Sequence, residues 1–271
     1  MTNTGATLER EYSLAEGKRV AVQHLRGMVL VKSGEGQTVR VQVETPPGLD
    51  WEISPDEDGN LSIRSSVPEG TEAPEASCTV ILPPRAGLRV WLVAGGLRLE
   101  GVETRARLDT VSADITLDAA RGAFHLQTVS GDINARALDG ALYVQSVSGD
   151  VHLTGCRLSG MQGRSLGGEF LVETPLLEGP YAFHTLSGDV ILRLPPETHC
   201  DVDFRTLTGG MEIAFSGVYF PKEGAGRQVM VGDGGPQVKV ETLSGKLWVM
   251  ANPRIGTNGH EVPQMSANGP E

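Results

Sequence analysis

The sequence has few cysteines and few aromatic residues, and both shortages limit its chemistry. Aromatic residues make up 5% of the 271 residues, which leaves few platforms for stacking sugars, and there are three cysteines. Cys78, Cys156 and Cys200 are an odd number and form no CxxC pair, so neither a disulfide framework nor a zinc motif is evident. We therefore expect buried or unreactive thiols, and no metal or cofactor.

The chain also lacks an excess of basic residues. Acidic residues outnumber basic residues by 34 to 23, which gives a net charge of −11. Binding to the phosphate backbone of nucleic acids depends on Lys and Arg. We therefore expect no nucleic-acid partner.

Long hydrophobic runs are absent as well. No apolar stretch approaches the roughly 18 residues of a membrane-spanning helix, and residues 1–14 are polar and carry acids, unlike a secretory signal. These observations predict no membrane insertion and, by default, a cytoplasmic location.

One phrase is repeated along the second half of the chain. Its form is Thr-Val-Ser-Gly-Asp followed by alternating apolar residues. The seven copies begin at Thr110, Thr128, Ser146, Ser165, Thr185, Thr206 and Thr242, at intervals of 18, 18, 19, 20, 21 and 36 residues. The last interval equals two periods and suggests a degenerate copy near residues 224–231. Self-similarity at a period near 20 residues is typical of a solenoid.

Each copy lies between two short runs in which apolar residues alternate, as in Leu142-x-Val144 before the third copy and Val151-x-Leu153 after it. Alternation of this kind predicts half-buried strands. The glycine between the runs predicts a corner with positive φ, and the neighbouring hydroxyl can bond the backbone there. The predicted fold class is therefore all-β: a β-solenoid, parallel β-helix-like, with coils of about 18–21 residues and a degenerate N-terminal cap.

Four segments follow from these patterns. Residues 1–17 are expected to be a loose N-terminal arm, and residues 18–90 are degenerate β coils or a β cap. Residues 91–250 carry the regular repeats. Residues 251–271 are rich in Pro and Gly and are expected to be a disordered tail. Gly and Pro punctuation over residues 217–235 predicts a projecting loop.

The repeated phrase resembles that of the bacterial putative-adhesin family of β-strand-repeat proteins, a domain of unknown function. The Gly-Met-Val-Leu-Val segment at residues 27–31 and the Val-Ile-Leu-Pro-Pro segment at 80–84 are similar to that family too. The resemblance covers roughly residues 18–250. It implies the solenoid fold and an adhesin-like role.

A set of acids occupies one position in five successive copies: Asp114, Asp132, Asp150, Glu169 and Asp189. If the coils stack in register, these carboxylates form a surface column at a spacing of about 5 Å. Either N–H groups of the turns or a bridging cation such as calcium must offset their repulsion. The Gly-Gly-x-Gly-x-Asp pattern of calcium-binding β-rolls is absent, so no dedicated metal site is predicted.

No catalytic residues are predicted. The repeated hydroxyls are interpreted as corner hydrogen-bonding groups, because near-identical corners cannot each hold a nucleophile with its base; they are Ser112, Ser130, Ser148, Ser187, Thr208 and Ser244. His125, His152 and His184 alternate with apolar residues and are expected to be solvated.

Two functions from different classes remain. The first is a non-catalytic structural or interaction module that presents a rigid face to a protein or glycan partner, with self-association through ends or edges as a further option. The second is a β-helical carbohydrate-active enzyme, a polysaccharide lyase or hydrolase. A cleft with convergent acids that break the repeat would favour the enzyme, whereas a smooth ladder would favour the module.

Overall fold

The computed structural model describes residues 6–215, 217–221 and 226–254. In this part of the chain the fold is all-β, as predicted, and every regular element is a strand. No helix in these residues has the length and apolar character needed to cross a membrane.

The strands fall into three groups along the chain. The N-terminal strands are β1 (Ala6–Ser13), β2 (Arg19–Ser33), β3 (Thr38–Thr45), β4 (Asp50–Pro55), β5 (Leu61–Ser66) and β6 (Ala76–Leu82). Two long strands follow, β7 (Gly87–Glu100) and β8 (Glu103–Asp118). The remaining strands are β9 (Arg121–Gln127), β10 (Ile133–Arg136), β11 (Asp139–Gln145), β12 (Val151–Thr154), β13 (Arg157–Ser165), β14 (Phe170–Glu173), β15 (Tyr181–Thr185), β16 (Val190–Leu194), β17 (Cys200–Arg205), β18 (Met211–Ala214), β19 (Gly217–Pro221), β20 (Gly226–Val231), β21 (Gln237–Thr242) and β22 (Leu247–Ala251).

Successive repeats pair as parallel strands in two columns. The first column, which we call the first sheet, runs from β7 through β8, β9, β11, β13 and β15 to β21. The second sheet runs from β8 through β10, β12, β14 and β16 to β22. Each repeat contributes one strand to each sheet and one level, or rung, to the stack. Equivalent residues lie side by side because the pairing offset equals the repeat, as in Ile115 with Ile133 and Ile133 with Val151.

The core lies between the two sheets and is built from the inward positions of the alternation. Fully buried residues of the second sheet stack in a row: Ile115, Ile133, Val151, Phe170, Val190 and Leu247. Leu126 and Val144 do the same in the first sheet. Burial of such side chains stabilises the stack by about 1.5 to 3 kcal/mol each.

The corner glycines are required for a reason other than the one predicted. Six of them stack at the start of the second-sheet strands, and none has positive φ: Gly131, Gly149, Gly168, Gly188, Gly245 and Gly209. A Cβ at Gly149 would instead overlap the carbonyl oxygen of Gly131 on the previous rung. Glycine is therefore required for close approach between rungs rather than for an unusual backbone angle.

The end of the chain does not follow the order of the repeats. In the first sheet β21 lies between β15 and β17, and in the second sheet β22 lies between β16 and β18. The last copy of the phrase therefore inserts between the two copies that precede it. The interpretation of the 36-residue interval as a decayed coil was wrong, because β19 and β20 form a hairpin that continues the first sheet antiparallel to β17. The predicted projecting loop over residues 217–235 contains this hairpin, and residues 222–225 of that segment lie outside the described residues.

The N-terminal region is a mixed parallel and antiparallel extension of the stack. β2 pairs with β7 along both sheets and thus forms a rung of its own. The expectation of a loose arm over residues 1–17 was wrong for residues 6–13, which form β1 antiparallel to β3. Partly buried Leu8 and Tyr12 hold this strand against the core, and the Tyr12 hydroxyl donates to the Ile53 carbonyl at 2.9 Å. Most of the predicted tail, residues 255–271, lies outside the described residues.

Candidate functional site

The structure brings the five predicted acids into one column on the outer edge of the second sheet. Each precedes a buried residue of the stacked row, so alternation turns its side chain outward. Asp114 and Asp132 are exposed, and Asp150, Glu169 and Asp189 are half-buried. Register between rungs therefore places the five carboxylates next to one another.

Four of the five carboxylates in this column, all except that of Glu169, accept a backbone hydrogen bond from the next rung. Oδ1 of Asp114 accepts from the N–H of Asp132 at 2.9 Å, and Oδ1 of Asp132 accepts from the N–H of Asp150 at 3.0 Å. Oδ1 of Asp150 likewise accepts from the N–H of Glu169 at 2.9 Å. Each bond ties one rung to its neighbour, which offsets the repulsion between like charges.

The column ends differently from the order read along the sequence. Lys246 follows Asp189 directly, and its N–H donates to Asp189 Oδ1 at 2.7 Å, because the last repeat is inserted there. Gly210 then lies beyond Lys246. Among the described residues, no group of three or more His, Cys, Asp or Glu side chains is placed to hold a metal ion.

A row of exposed aliphatic side chains runs beside the acidic column. These residues occupy the second position of the repeated phrase, which sequence reasoning left without a role. We call them the aliphatic ridge; in stacking order, with exposed fractions, they are Val111 (40%), Val129 (48%), Val147 (40%), Leu166 (55%), Leu186 (49%), Leu243 (44%) and Leu207 (71%). The backbone holds the row, since the N–H of each following residue donates to the carbonyl one rung back, as Ser148 does to Val129 at 3.0 Å.

The repeated hydroxyls make the corner hydrogen bonds that the sequence predicted. The third-position hydroxyls donate to carbonyls of the previous rung, as Ser112 does to Val93 at 3.1 Å. The first-position hydroxyls close the corner itself, and Thr242 Oγ1 accepts from the N–H of Gly245 at 2.8 Å. The three cysteines are buried, and desolvation raises the pKa of the Cys78 thiol to about 12.

A groove of about 780 Å³ opens on the outer face of the first sheet, between β7 and β13. The floor in the middle of the groove is open because the residues there have small side chains or none: Ala123, Ala141 and Gly160. Four exposed arginines line one end: Arg19, Arg89, Arg105 and Arg107. We call this feature the arginine groove.

Two of the arginines stack on neighbouring rungs, since Arg89 pairs in register with Arg107. Arg107 is held by Asp109, at 3.0 Å from Nε to Oδ2, and by Gln127 at 2.8 Å. Within the described ranges, Arg19, Arg89 and Arg105 form no ion pair. The groove therefore concentrates positive charge on a chain whose net charge is −11.

An aromatic pair forms the groove wall beyond the arginines. His125 and Tyr143 stack with ring centroids 4.4 Å apart, one rung from each other. Burial, and to a smaller extent the charge of Arg107, lowers the pKa of His125, whereas Asp109 raises it. Nε2 of His125 is buried and has no hydrogen-bond partner among the described residues. His125 points outward, as predicted, but its ring is half-buried rather than fully solvated, because it stacks on Tyr143 of the adjacent rung.

The sequence contained a signal for this groove that a search for repeated phrases passes over. Arg89 and Arg107 are 18 residues apart, which is one repeat, and Arg105 is two residues before Arg107 on the same face of β8. Stacked basic positions at the repeat interval predict a cluster. Arg19 carried no such signal, because it reaches the groove through the pairing of β2 with β7.

Comparison with known proteins finds solved structures and one family model that are similar to this chain. Three solved structures are similar to the chain at TM-scores below 0.5. They are a putative cell adhesion protein from Clostridium sporogenes (8% identity, 91% of this chain and 100% of that chain, TM-score 0.26), a putative adhesin from Bacteroides fragilis (10%, 91% and 99%, 0.41) and a putative adhesin from Parabacteroides merdae (10%, 91% and 97%, 0.44). No curated protein matches the chain. The Toastrack DUF4097 family model matches residues 139–249. Over these residues, which are less than half of the chain, the protein is similar to the Toastrack family, a bacterial putative-adhesin family of unknown function, and this match agrees with the family resemblance identified from the sequence.

Proposed function

We propose that the repeats form a β-solenoid and that the chain is a non-catalytic interaction module, which uses the aliphatic ridge to bind a protein partner. The in-register parallel pairing of successive repeats supports the solenoid. A backbone of this kind is rigid, because each rung is hydrogen-bonded to the rungs on both sides.

The ridge is the observation that carries this proposal. Its seven side chains, at about 4.8 Å per rung, form a strip about 29 Å long. Large contiguous apolar patches on a soluble surface mark interaction sites, since leaving them in water is unfavourable. Aliphatic side chains favour a protein over a glycan, because sugars stack on aromatic rings and the ridge has none.

The surroundings of the ridge specify the chemistry of the partner. The acidic column runs beside the ridge, and the serines between them supply hydroxyls. An apolar centre with a charged rim is the usual anatomy of a protein interface. The complementary partner is therefore a protein with an apolar strip bordered by Lys or Arg, and salt should slow its association.

The arginine groove is the feature that favours the alternative, a carbohydrate-active enzyme. Hydrolysis of glycosides ordinarily needs two carboxyl groups on either side of the bond. The groove is lined by no Asp or Glu among the described residues, and the acids of this chain follow the repeat instead of breaking it. The groove thus supports binding better than hydrolysis, and a lyase remains the form that this alternative takes.

The test compares capture of proteins from the source cells by immobilised wild type, by V129D/V147D and by N134D. Asn134 is exposed on the second sheet of the same stack, so N134D adds one negative charge away from the ridge, where V129D/V147D adds two on it. We expect a protein that wild type and N134D retain and V129D/V147D loses. The captured protein is then purified and titrated against all three proteins. Equal affinity for wild type and V129D/V147D would refute the ridge as the binding surface.

Turnover of acidic polysaccharides measured with the same preparations decides between the classes. Release of unsaturated uronate ends by wild type and not by R89Q/R107Q would overturn the non-catalytic proposal in favour of a lyase. Self-association through ends or edges stays a prediction, which sedimentation velocity tests.

A further inference from the structure

The arginine groove lies apart from the ridge and has the size of a ligand site. Its volume of about 780 Å³ lies within the range of roughly 300 to 1,000 Å³ that is usual for small-molecule pockets. It is open along the stack and crosses the rungs of β7, β8, β9, β11 and β13. An extended ligand that crosses several rungs therefore fits it better than a single small ion.

The charge of the groove requires an anionic ligand. Arg89 and Arg107 lie in register on adjacent rungs, and Arg105 projects from the same face two residues away. Cations at such spacing repel one another, and only Arg107 has a carboxylate within the described structure to compensate it. Guanidinium groups bind carboxylates and sulfates through two parallel hydrogen bonds. The three arginines are therefore positioned to bind anionic groups at one end of the groove.

The rest of the groove is suited to a sugar. Its floor is apolar and flat at Ala123 and Ala141, which pair in register and are both exposed. The side chains of Tyr143, Ser159 and Gln162 surround that floor with hydroxyl and amide groups. A pyranose ring presents an apolar C–H face and a rim of hydroxyls, which match such a floor and border.

We propose that the arginine groove binds an acidic saccharide. Arg89, Arg105 and Arg107 hold its carboxylate or sulfate groups, and the sugar ring lies over Ala123 and Ala141 beside the stacked rings of His125 and Tyr143. This site is independent of the ridge, so the failure of either proposal leaves the other intact.

The test is calorimetric titration with three oligosaccharides of equal length: an oligogalacturonate, a sulfated oligosaccharide and a neutral malto-oligosaccharide. We expect one of the two acidic ligands to bind and the neutral one not to. R89Q and R105Q should each weaken binding about tenfold, as the loss of a charge-assisted hydrogen bond predicts. R136Q is the matched control. Arg136 is exposed on the second sheet, so its replacement removes the same charge outside the groove.

Three results would overturn the proposal. The first is equal affinity for the neutral oligosaccharide, which would remove the role of the arginines. The second is equal weakening by R136Q and R89Q, which would indicate net charge rather than a site. The third is the absence of binding to both acidic ligands by protein whose circular dichroism is native. Inorganic polyphosphate is titrated in parallel, and tighter binding of it than of either saccharide would also refute the sugar site.

Discussion

Replacement of Asp150 tests whether the acidic column stabilises or destabilises the stack of rungs. Asp150 Oδ1 accepts the N–H of Glu169 at 2.9 Å, and its own N–H donates to Asp132 Oδ1 at 3.0 Å. D150N keeps an oxygen acceptor and loses the charge, whereas D150A loses both. The pair of variants therefore separates the hydrogen bond from the repulsion.

The magnitudes of the two effects are comparable. A charge-assisted hydrogen bond contributes about 1.5 to 3 kcal/mol and a neutral one about 0.5 to 1.5 kcal/mol. Repulsion from Asp132 and from Glu169 at about 5 Å costs about 0.8 kcal/mol each in water. We therefore expect D150A to lose about 1 kcal/mol of unfolding free energy, and D150N to be neutral or slightly more stable than wild type.

Urea titration at pH 7, followed by circular dichroism, measures both variants at low and high salt. High salt screens the repulsion, so the gain of D150N should vanish and the loss of D150A should grow. D150A as stable as D150N at both salt concentrations would refute the hydrogen-bonding role. A large loss in D150N would show that the charge itself is required, as it would be for a bound cation.

Three further predictions concern the core and the corners. G149A should cost about 3 kcal/mol by overpacking against Gly131, whereas G167A, whose Cβ would meet no atom closer than 3.8 Å, should be near neutral; thermal denaturation decides. L153A should cost about 2 to 4 kcal/mol and H152A less than about 0.5 kcal/mol, and equal losses in urea would refute the assigned strand phase. Burial lowers the pKa of His24 below its ordinary 6.5. As the pH falls below 6.5 the unfolded chain therefore binds a proton more readily than the folded chain, and the free energy of unfolding should decrease. Urea titrations at several pH values below 6.5 should show a weaker pH dependence for H24Q than for wild type.

The sequence predicted those features that depend on neighbours in the chain. Alternation around Val151 and Leu153 identified buried positions, because a strand turns successive side chains to opposite faces. The Asp58-Gly59 pair is a typical hairpin signal, and β4 and β5 form a hairpin around it. The position of Asp150 in the repeat placed its carboxylate in the column for the same local reason.

Features that depend on how rungs meet could not be read locally. The need for glycine at Gly149 arises from the carbonyl of Gly131, 18 residues earlier in the chain and one rung away. The groove unites Arg19 with Arg105 across strands whose pairing no repeat phrase encodes. The position of β21 between β15 and β17 breaks chain order altogether, so the spacing of the copies alone misassigned it.

The inserted last repeat has a consequence for synthesis on the ribosome. β17 has β21 as its parallel neighbour, and β21 is made about three dozen residues later. Because the N-terminus is synthesised first, the rungs can pair in chain order as far as β16. The next rung cannot form until β21 and β22 have been synthesised. Until residues 237–251 are released, the edges of β15 and β16 remain open to other nascent chains. A chain truncated just before residue 237 would therefore expose unpaired strand edges and aggregate. Addition of a separate peptide covering residues 237–251 should restore its solubility.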